Sequence, residues 1–331
     1  MWRELFTIPG INFTIYGYGL MLVLACLSGI SLAKFLARRC GLDPEFFVNI
    51  GIIALLTGVI GARLVHVLQE WHEYTSAPTL SENLFHMINL RRGGLVFYGG
   101  LLLATPACIA YGLLKKVPIR RGMDIVAPAL MVGLAIGRVG CFMNGCCWGG
   151  PCELPWSVQF PYGSPPFDEQ FDKGQLKVDE SLVRRSFFDR TTMETKVYQR
   201  PVLLDKSQLK TPEERAAAAS ARSLAVHPTQ IYSTITALLI AAVCVAYFTL
   251  APTAGRVFAL MLVLEGAGRF TIENLRVEPP VLTFGPYAWS MSMTIGVGLI
   301  IAGTVLLLTL RRRHASPAAV ADAIAATAAA K

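Results

Sequence analysis

Charge is what this chain has least of. Of its 331 residues only 16% are Asp, Glu, Lys or Arg while 53% are hydrophobic, and the mean hydropathy is +0.49. So little charge over this length excludes an ordinary soluble enzyme, which needs more polar surface to face water. The opening residues lack a basic region ahead of a short apolar core, and they lack a small-residue cleavage site. No removable signal peptide is therefore expected. A Gly-rich nucleotide-binding motif is also missing, so no cofactor is expected. The formal charge of +8 does not imply a nucleic-acid partner, because the basic residues sit in short clusters beside apolar runs. That is the pattern that orients membrane proteins, and anionic membrane lipid is its natural partner.

What is present is a series of long apolar runs. About seven can span a bilayer, near 16–37, 47–68, 94–114, 123–145, 228–250, 256–275 and 289–310. The fold class expected is an all-α polytopic membrane protein with about seven transmembrane helices. Lys34, Arg38 and Arg39 follow the first run, Lys115, Lys116, Arg120 and Arg121 separate the third from the fourth, and Arg311 to Arg313 follow the seventh. All three clusters fall on the cytoplasmic side if the N-terminus is outside. The chain then divides into helices 1 to 4 (1–147), an extracytoplasmic head or flap (148–226), helices 5 to 7 (227–310) and a cytoplasmic, disordered Ala-rich tail (311–331). An Ala-rich stretch near 213–222 suits a short helix in the head.

Ionisable residues inside apolar runs are the functional signal, since each is costly in lipid unless something meets it. Arg138, in Gly137-Arg138-Val139-Gly140-Cys141-Phe142-Met143-Asn144-Gly145-Cys146-Cys147-Trp148-Gly149, has no carboxylate within a turn on its own helix. A permanent cation so placed reads as an anion site, and the glycines let backbone approach the ligand. Arg63, His66 and Glu70 fall at i, i+3 and i+7 on the second run; Glu265, Arg269, Glu273 and Arg276 form a stripe on the sixth. Three helices thus aim polar stripes at one depth, enclosing a cavity open toward the outer leaflet. For the sixth helix the bland alternative is mutual neutralisation, Glu265 with Arg269 and Glu273 with Arg269 or Arg276.

Other positions have two readings each. The glycine pairs of Gly93-Gly94-Leu95-Val96-Phe97-Tyr98-Gly99-Gly100, opening the third run, serve close helix packing or a headgroup site. Tyr16 and Tyr18 form an aromatic belt or contact a ligand. His227, before Pro228, caps the fifth helix or acts in catalysis. Asp124 complements its own helix dipole. Of eight cysteines, Cys26, Cys108 and Cys244 lie in apolar runs and Cys40 in a loop, whereas Cys141, Cys146, Cys147 and Cys152 fall within twelve residues. Their spacing is not a usual zinc arrangement, so no metal is expected. A disulfide facing an oxidising exterior is the leading expectation, with unpaired thiols or a metal site as alternatives.

These residues resemble the bacterial prolipoprotein diacylglyceryl transferases. The likeness runs in order through Tyr18-Gly19-Leu20-Met21, Gly61-Ala62-Arg63, Gly93-Gly94 to Gly99-Gly100, Gly137-Arg138, His227-Pro228-Thr229-Gln230-Ile231-Tyr232, Arg269 to Glu273 and Trp289-Ser290-Met291-Ser292. The resemblance implies a seven-helix inner-membrane enzyme. It moves the diacylglyceryl group of phosphatidylglycerol onto the lipobox cysteine of a preprolipoprotein signal peptide and releases glycerol 1-phosphate. It also implies that Arg138 binds the phosphate, that Arg269 and Glu273 are needed for turnover, and that Tyr18, Asn144 and Gly149 match functional or signature positions. Three departures stand out. Cys141 and Cys146 replace the usual Asn and Glu of the signature, and Tyr98 replaces a histidine regarded as a possible base.

The chemistry needs a phosphate clamp and a proton acceptor. Arginine matches phosphate oxygens bidentately and cannot lose its proton; Arg138 and Arg269 fill that role, with Arg63 and Arg276 as further lipid-binding candidates. A thiol of pKa ~8.5 needs modest help, and Glu273, His66, His227 or Tyr98 can take its proton. Two other classes stay open: a membrane thiol-disulfide oxidoreductase using the outward cysteines and a quinone, and a phospholipid-binding transporter or scaffold.

Overall fold

The computed structural model describes residues 4–8, 13–75, 79–89, 94–189, 194–250, 252–276, 281–284 and 287–310. Gly93, Arg311 to Arg313 and the rest of the tail lie outside the described residues. An antiparallel hairpin, β1 (Glu4–Ile8) and β2 (Phe13–Tyr16), runs directly into α1 (Gly17–Arg39). Next come α2 (Pro44–Gln69), short α3 (Trp71–Tyr74) and α4 (Leu80–Ile88), then α5 (Phe97–Leu114) and α6 (Ile119–Asn144). The following stretch contains α7 (Pro165–Asp172), the hairpin β3 (Val183–Asp189) with β4 (Glu194–Leu203), and α8 (Pro212–Ser220). The chain continues with α9 (Thr229–Thr249), α10 (Arg256–Glu273), a hairpin of β5 (Leu282–Phe284) and β6 (Tyr287–Trp289), and α11 (Met291–Thr309).

Each of the seven expected spans contains a helix. Five of them, α1, α2, α6, α9 and α11, are long and apolar enough to cross a membrane. α5 is a shorter apolar helix, and α10 carries Arg256, Glu265, Arg269 and Glu273 within its 18 residues. At 1.5 Å per residue, 18 residues cover about 27 Å, close to a hydrocarbon core of about 30 Å. The charge of α10, rather than its length, is what sets it apart. The chain is an all-α polytopic membrane protein. Its exposed apolar side chains, among them Leu55, Leu56, Ile60, Leu64 and Leu68 on α2, are what lipid contact requires.

The chain forms two compact units, and the boundary falls within α1, α6, α9, α10 and α11. One comprises Cys26–Met131, Ile240–Leu264 and Leu299–Lys331. Asp43 starts α2 by accepting from the Glu45 N–H at 2.9 Å, with Pro44 in the first turn. α2 and α5 then meet backbone to backbone: a Cβ at Gly61 would collide with the Gly99 carbonyl, and one at Gly100 would come within 2.8 Å of the Gly58 carbonyl. Small residues here allow close helix approach, the packing reading of Gly99-Gly100. Gly94 does not open α5, as the run at 94–114 suggested. It precedes the helix at φ +81°, where a Cβ would strike His66 and Arg63. Asp124 also differs from expectation. Its carboxylate is fully buried and accepts from the Gly255 N–H at 2.7 Å and the Phe258 N–H at 3.0 Å, so it caps α10, not its own helix.

The other unit comprises Met1–Ala25, Val132–Leu239 and Glu265–Gly298. Between α6 and α9 the chain builds a small core from Tyr162, Phe167 and Leu182. The Ala-rich stretch is helical as expected: in α8, Thr211 accepts from the Glu214 N–H while the Glu214 carboxylate accepts from the Thr211 N–H.

Candidate functional site

In this second unit a cavity lies among α6, α9, α10 and α11, lined by Arg138, Cys147, Thr229, Ser233, Thr236, Glu265, Arg269, Glu273, Arg276 and Ser292. It has about 30 Å³ of room for the centres of water molecules. That is space for roughly two waters. The stripes expected on the fourth and sixth helices converge here. The stripe of hydroxyls on α9, Thr229, Ser233 and Thr236 at i, i+4 and i+7, was not anticipated; its periodicity in an apolar helix was the available signal.

The arginines decide what the cavity can do. Arg138 is half-buried and makes no hydrogen bond or ion pair among the described residues. Arg269 donates from Nε to Ser292 Oγ at 3.1 Å, which fixes its guanidinium while its two terminal nitrogens have no partner among the described residues. The Glu265–Arg269 and Glu273–Arg269 neutralisations are not formed; the ion pair that does form is Arg276 Nη1 with Glu273 Oε2 at 3.3 Å. Glu273 is 4% exposed and also accepts from Ser290 Oγ at 2.9 Å, so it is braced on both oxygens. Glu265 lines the cavity with a carboxylate that makes no hydrogen bond among the described residues. Glu265 belongs to the stripe expected to face the cavity, whereas Ser290 and Ser292 were not singled out for the site from sequence, though both sit in the quoted Trp289-Ser290-Met291-Ser292 stretch.

The end of α6 shapes the cavity's rim. Gly145, at φ +76°, donates its N–H to the Phe142 carbonyl at 3.2 Å, and the Cys146 N–H reaches the Cys141 carbonyl at 3.1 Å. These are the two bonds of a Schellman cap, which folds the chain back over the last helical turn. Cys147 follows at φ +61°, a left-handed conformation that costs a non-glycine residue about 1–3 kcal/mol. It is held there by α9: Thr229 Oγ1 donates to the Cys147 carbonyl and Gln230 Nε2 to the Cys146 carbonyl, both at 2.7 Å. As a result the sulfurs of Cys141, Cys146 and Cys147 lie within 4.8 Å of one another. Hydrogen bonds from the Cys141 and Cys146 thiols, followed by the charges of Arg138 and Arg276, hold the Cys147 thiol well below the usual thiol range. All eight cysteines are free thiols, so the disulfide expected among the outward four is not formed, and Cys152 is buried apart from the trio.

The remaining candidates take their places around this frame. Gly149 allows a close crossing: its N–H donates to the His227 carbonyl at 2.9 Å, and a Cβ would strike His227, Thr229 and the Leu275 carbonyl. Asn144 is the last residue of α6, directly before the cap. Tyr18 packs on Gly140, where an added Cβ would come within 3.3 Å of its ring. His227 does not line the cavity; its Nδ1 lies 3.4 Å from the Tyr232 hydroxyl, which also accepts from Trp156 Nε1 at 2.8 Å.

Arg63, His66 and Tyr98 belong to the first unit. Arg63 is 7% exposed and donates to the carbonyls of Met87 (2.7 Å), Gly94 (3.0 Å), His86 (2.7 Å) and Asn89 (3.1 Å), with the Tyr74 ring 5.0 Å from its carbon. Its donors thus gather the C-terminal carbonyls of α4 and the turn before α5. His66 edges the same Tyr74 ring, and Tyr98 stands 43% exposed in the first turn of α5.

Fold and cavity define a class: a polytopic helical membrane protein with a guanidinium-lined, anion-receptive cavity among its helices. A family model described as prolipoprotein diacylglyceryl transferase matches residues 3–309. The chain belongs to that family. Three relatives carry the name phosphatidylglycerol–prolipoprotein diacylglyceryl transferase. One from Nostoc sp. is 29% identical, over 93% of this chain and 93% of its own length. One from Clostridium tetani is 25% identical over 80% of this chain and 82% of its own. One from Rhodopirellula baltica is 38% identical over 50% of this chain, which is 34% of that longer protein.

Proposed function

We propose that the protein transfers the diacylglyceryl group of phosphatidylglycerol to the lipobox cysteine of a preprolipoprotein, and that the cavity of Arg138 and Arg269 is where the headgroup phosphate sits. The observation that carries this reading is an Arg138 side chain in a membrane-helix cavity with no ion pair among the described residues. An anionic ligand relieves the cost of such a cation. In the reaction the acceptor sulfur attacks the glycerol carbon that bears the phosphate. The C–O bond breaks, and the phosphate leaves as glycerol 1-phosphate with an added negative charge.

Two guanidiniums aimed at that charge stabilise it most as it develops, because donors fixed in place beforehand need no reorganisation at the moment of reaction. Ser292 keeps Arg269 oriented, and the Ser290–Glu273–Arg276 chain braces the same helix end. Glu273 is in this reading a positioning group, and Arg63 a structural one. Tyr18 packs on Gly140, Asn144 ends α6 ahead of the cap, and His227 holds the crossing at Gly149. The stretch 148–226 lies on the extracytoplasmic face of the inner membrane with the N-terminus, and the C-terminus is cytoplasmic, as the basic clusters direct.

The test is glycerol phosphate release by the purified protein mixed with phosphatidylglycerol and a lipobox peptide. Wild type is expected to turn over and Arg138→Ala to lose activity by about 10³-fold. Unchanged release in that variant removes Arg138 from the mechanism; no release by wild type, with lipid still bound, leaves the transporter or scaffold reading instead.

A further inference from the structure

Three thiols gathered at the mouth of an anion site need an explanation that lipid binding does not provide. The Schellman cap pairs positions whose side chains ordinarily meet in an apolar contact, and here both are cysteine, Cys141 and Cys146. The left-handed turn at Cys147 then brings a third sulfur to the same point, with all three within 4.8 Å of one another. A backbone strained to collect three sulfurs, and pinned by Thr229 and Gln230 to keep them there, is arranged for a ligand that binds sulfur. With Zn–S bonds of 2.3 Å and tetrahedral angles, the sulfurs of a zinc site stand about 3.8 Å apart. The trio needs to draw in by no more than about 1 Å to meet that.

We propose that Cys141, Cys146 and Cys147 form a three-thiolate site for zinc(II), with the fourth position facing the Arg138 cavity and taking the acceptor thiol. This rests on the transferase reading of the same cavity. Zinc bound by three protein ligands with one open position is the arrangement of catalytic rather than structural zinc. Cys147 is the member that lines the cavity, which puts the ion at its wall. Three thiolates and one divalent ion leave one net negative charge, and Arg138 and Arg276 line the same cavity to balance it.

The arrangement supplies what the sequence lacks. Tyr98 stands where the resemblance implies a histidine, His227 is turned to Tyr232, and Glu273 is braced on both oxygens. A thiol that coordinates zinc is deprotonated outright. Its proton passes to the Glu265 carboxylate, which lines the cavity, and from there to water. The sulfur lone pair then forms the S–C bond to the diacylglyceryl carbon as the C–O bond to phosphate breaks. The electron pair leaves on glycerol phosphate, and no oxidant or reductant takes part. At pH 7 a thiol of pKa ~8.5 is only about 3% ionised, so full deprotonation can raise the reactive fraction roughly 30-fold.

The experiment is elemental analysis of the detergent-purified full chain after equilibration with zinc(II), with cobalt(II) substitution read by its thiolate charge-transfer absorption. One zinc per chain is expected in wild type and in Cys152→Ser, and none in Cys147→Ser or Cys146→Ser. The cobalt band should carry the intensity of three sulfurs and gain a fourth on adding a lipobox peptide, a change absent with its Cys→Ser form. Zinc-free wild type, or zinc retained in both cysteine variants, overturns the site, as does a Cys141–Cys146 disulfide found by mass spectrometry. Copper(I) in place of zinc overturns the acceptor assignment, because three thiolates satisfy it without a fourth ligand. Chelation is expected to lower glycerol phosphate release at pH 7 by at least tenfold, and unchanged release overturns the activation step. Zinc bound without any release from phosphatidylglycerol means that the transferase reading, not the metal site, has failed.

Discussion

Arg63 on α2 and Arg138 on α6 are both cations on membrane helices, and the two units treat them in opposite ways. Arg63 is 7% exposed and surrounded by carbonyl oxygens of His86, Met87, Asn89 and Gly94. Its charge faces the negative end of the α4 dipole, so the chain itself satisfies it. Arg138 faces a cavity with no hydrogen bond or ion pair among the described residues. The same side chain is saturated by carbonyls in one unit and left facing a cavity in the other. Rarity within an apolar run flags both arginines; only the partners separate them.

The sharpest way to break this comparison is to remove each guanidinium in turn. Arg138→Ala should abolish glycerol phosphate release, by about 10³-fold or ~4 kcal/mol of barrier, with unfolding temperature in detergent unchanged. Arg138→Lys keeps the charge but not the fork of donors, and should recover only a minor part of the loss. Arg63→Ala should do the reverse. It strips donors from four carbonyls, costs about 3 kcal/mol of stability, and leaves the activity of the folded fraction within a few-fold of wild type. A stable Arg63→Ala protein without activity would erase the distinction.

A smaller effect separates groups that touch substrate from groups that brace them. Ser290→Ala removes one of the two supports of the Glu273 carboxylate, and Glu273→Gln weakens its pairing with Arg276. Each should reduce kcat about 10- to 100-fold while phosphatidylglycerol binding, measured by lipid co-purification, is retained. Loss of lipid binding in either would move Glu273 from a positioning to a binding role.

Which parts were legible follows from the range of the interactions involved. The seven helices follow from the length of the apolar runs and the α10 stripe from local periodicity, and both could be read directly. Arg138 could be read because charge in an apolar run is costly wherever the fold puts it. The partners of Arg63 lie 23 to 31 residues further on, so its saturation could not be seen. The alternative of a Glu265–Arg269 pair is not realised because α11 offers Ser292 to the arginine, a tertiary choice that i, i+4 spacing does not fix. The thiol trio depends on one positive φ at Cys147, which no spacing rule encodes.

Asp124 provides the mildest test of the contrast between an internally satisfied charge and a waiting one. Its carboxylate caps α10 from α6, accepting from the N–H groups of Gly255 and Phe258, and it is fully buried. Helix propensity at 256–273 does little to start a helix that begins Arg256-Val257-Phe258, so the cap fixes where α10 begins. Asp124→Ala leaves two buried donors without acceptors and should lower stability by about 2 kcal/mol. Asp124→Asn retains one acceptor oxygen and should cost about half as much. In both, turnover by the folded protein should stay within about threefold of wild type, because the cap acts on folding and not on the phosphate. A loss approaching that of Arg138→Ala would mean that this carboxylate too is held in reserve for the reaction.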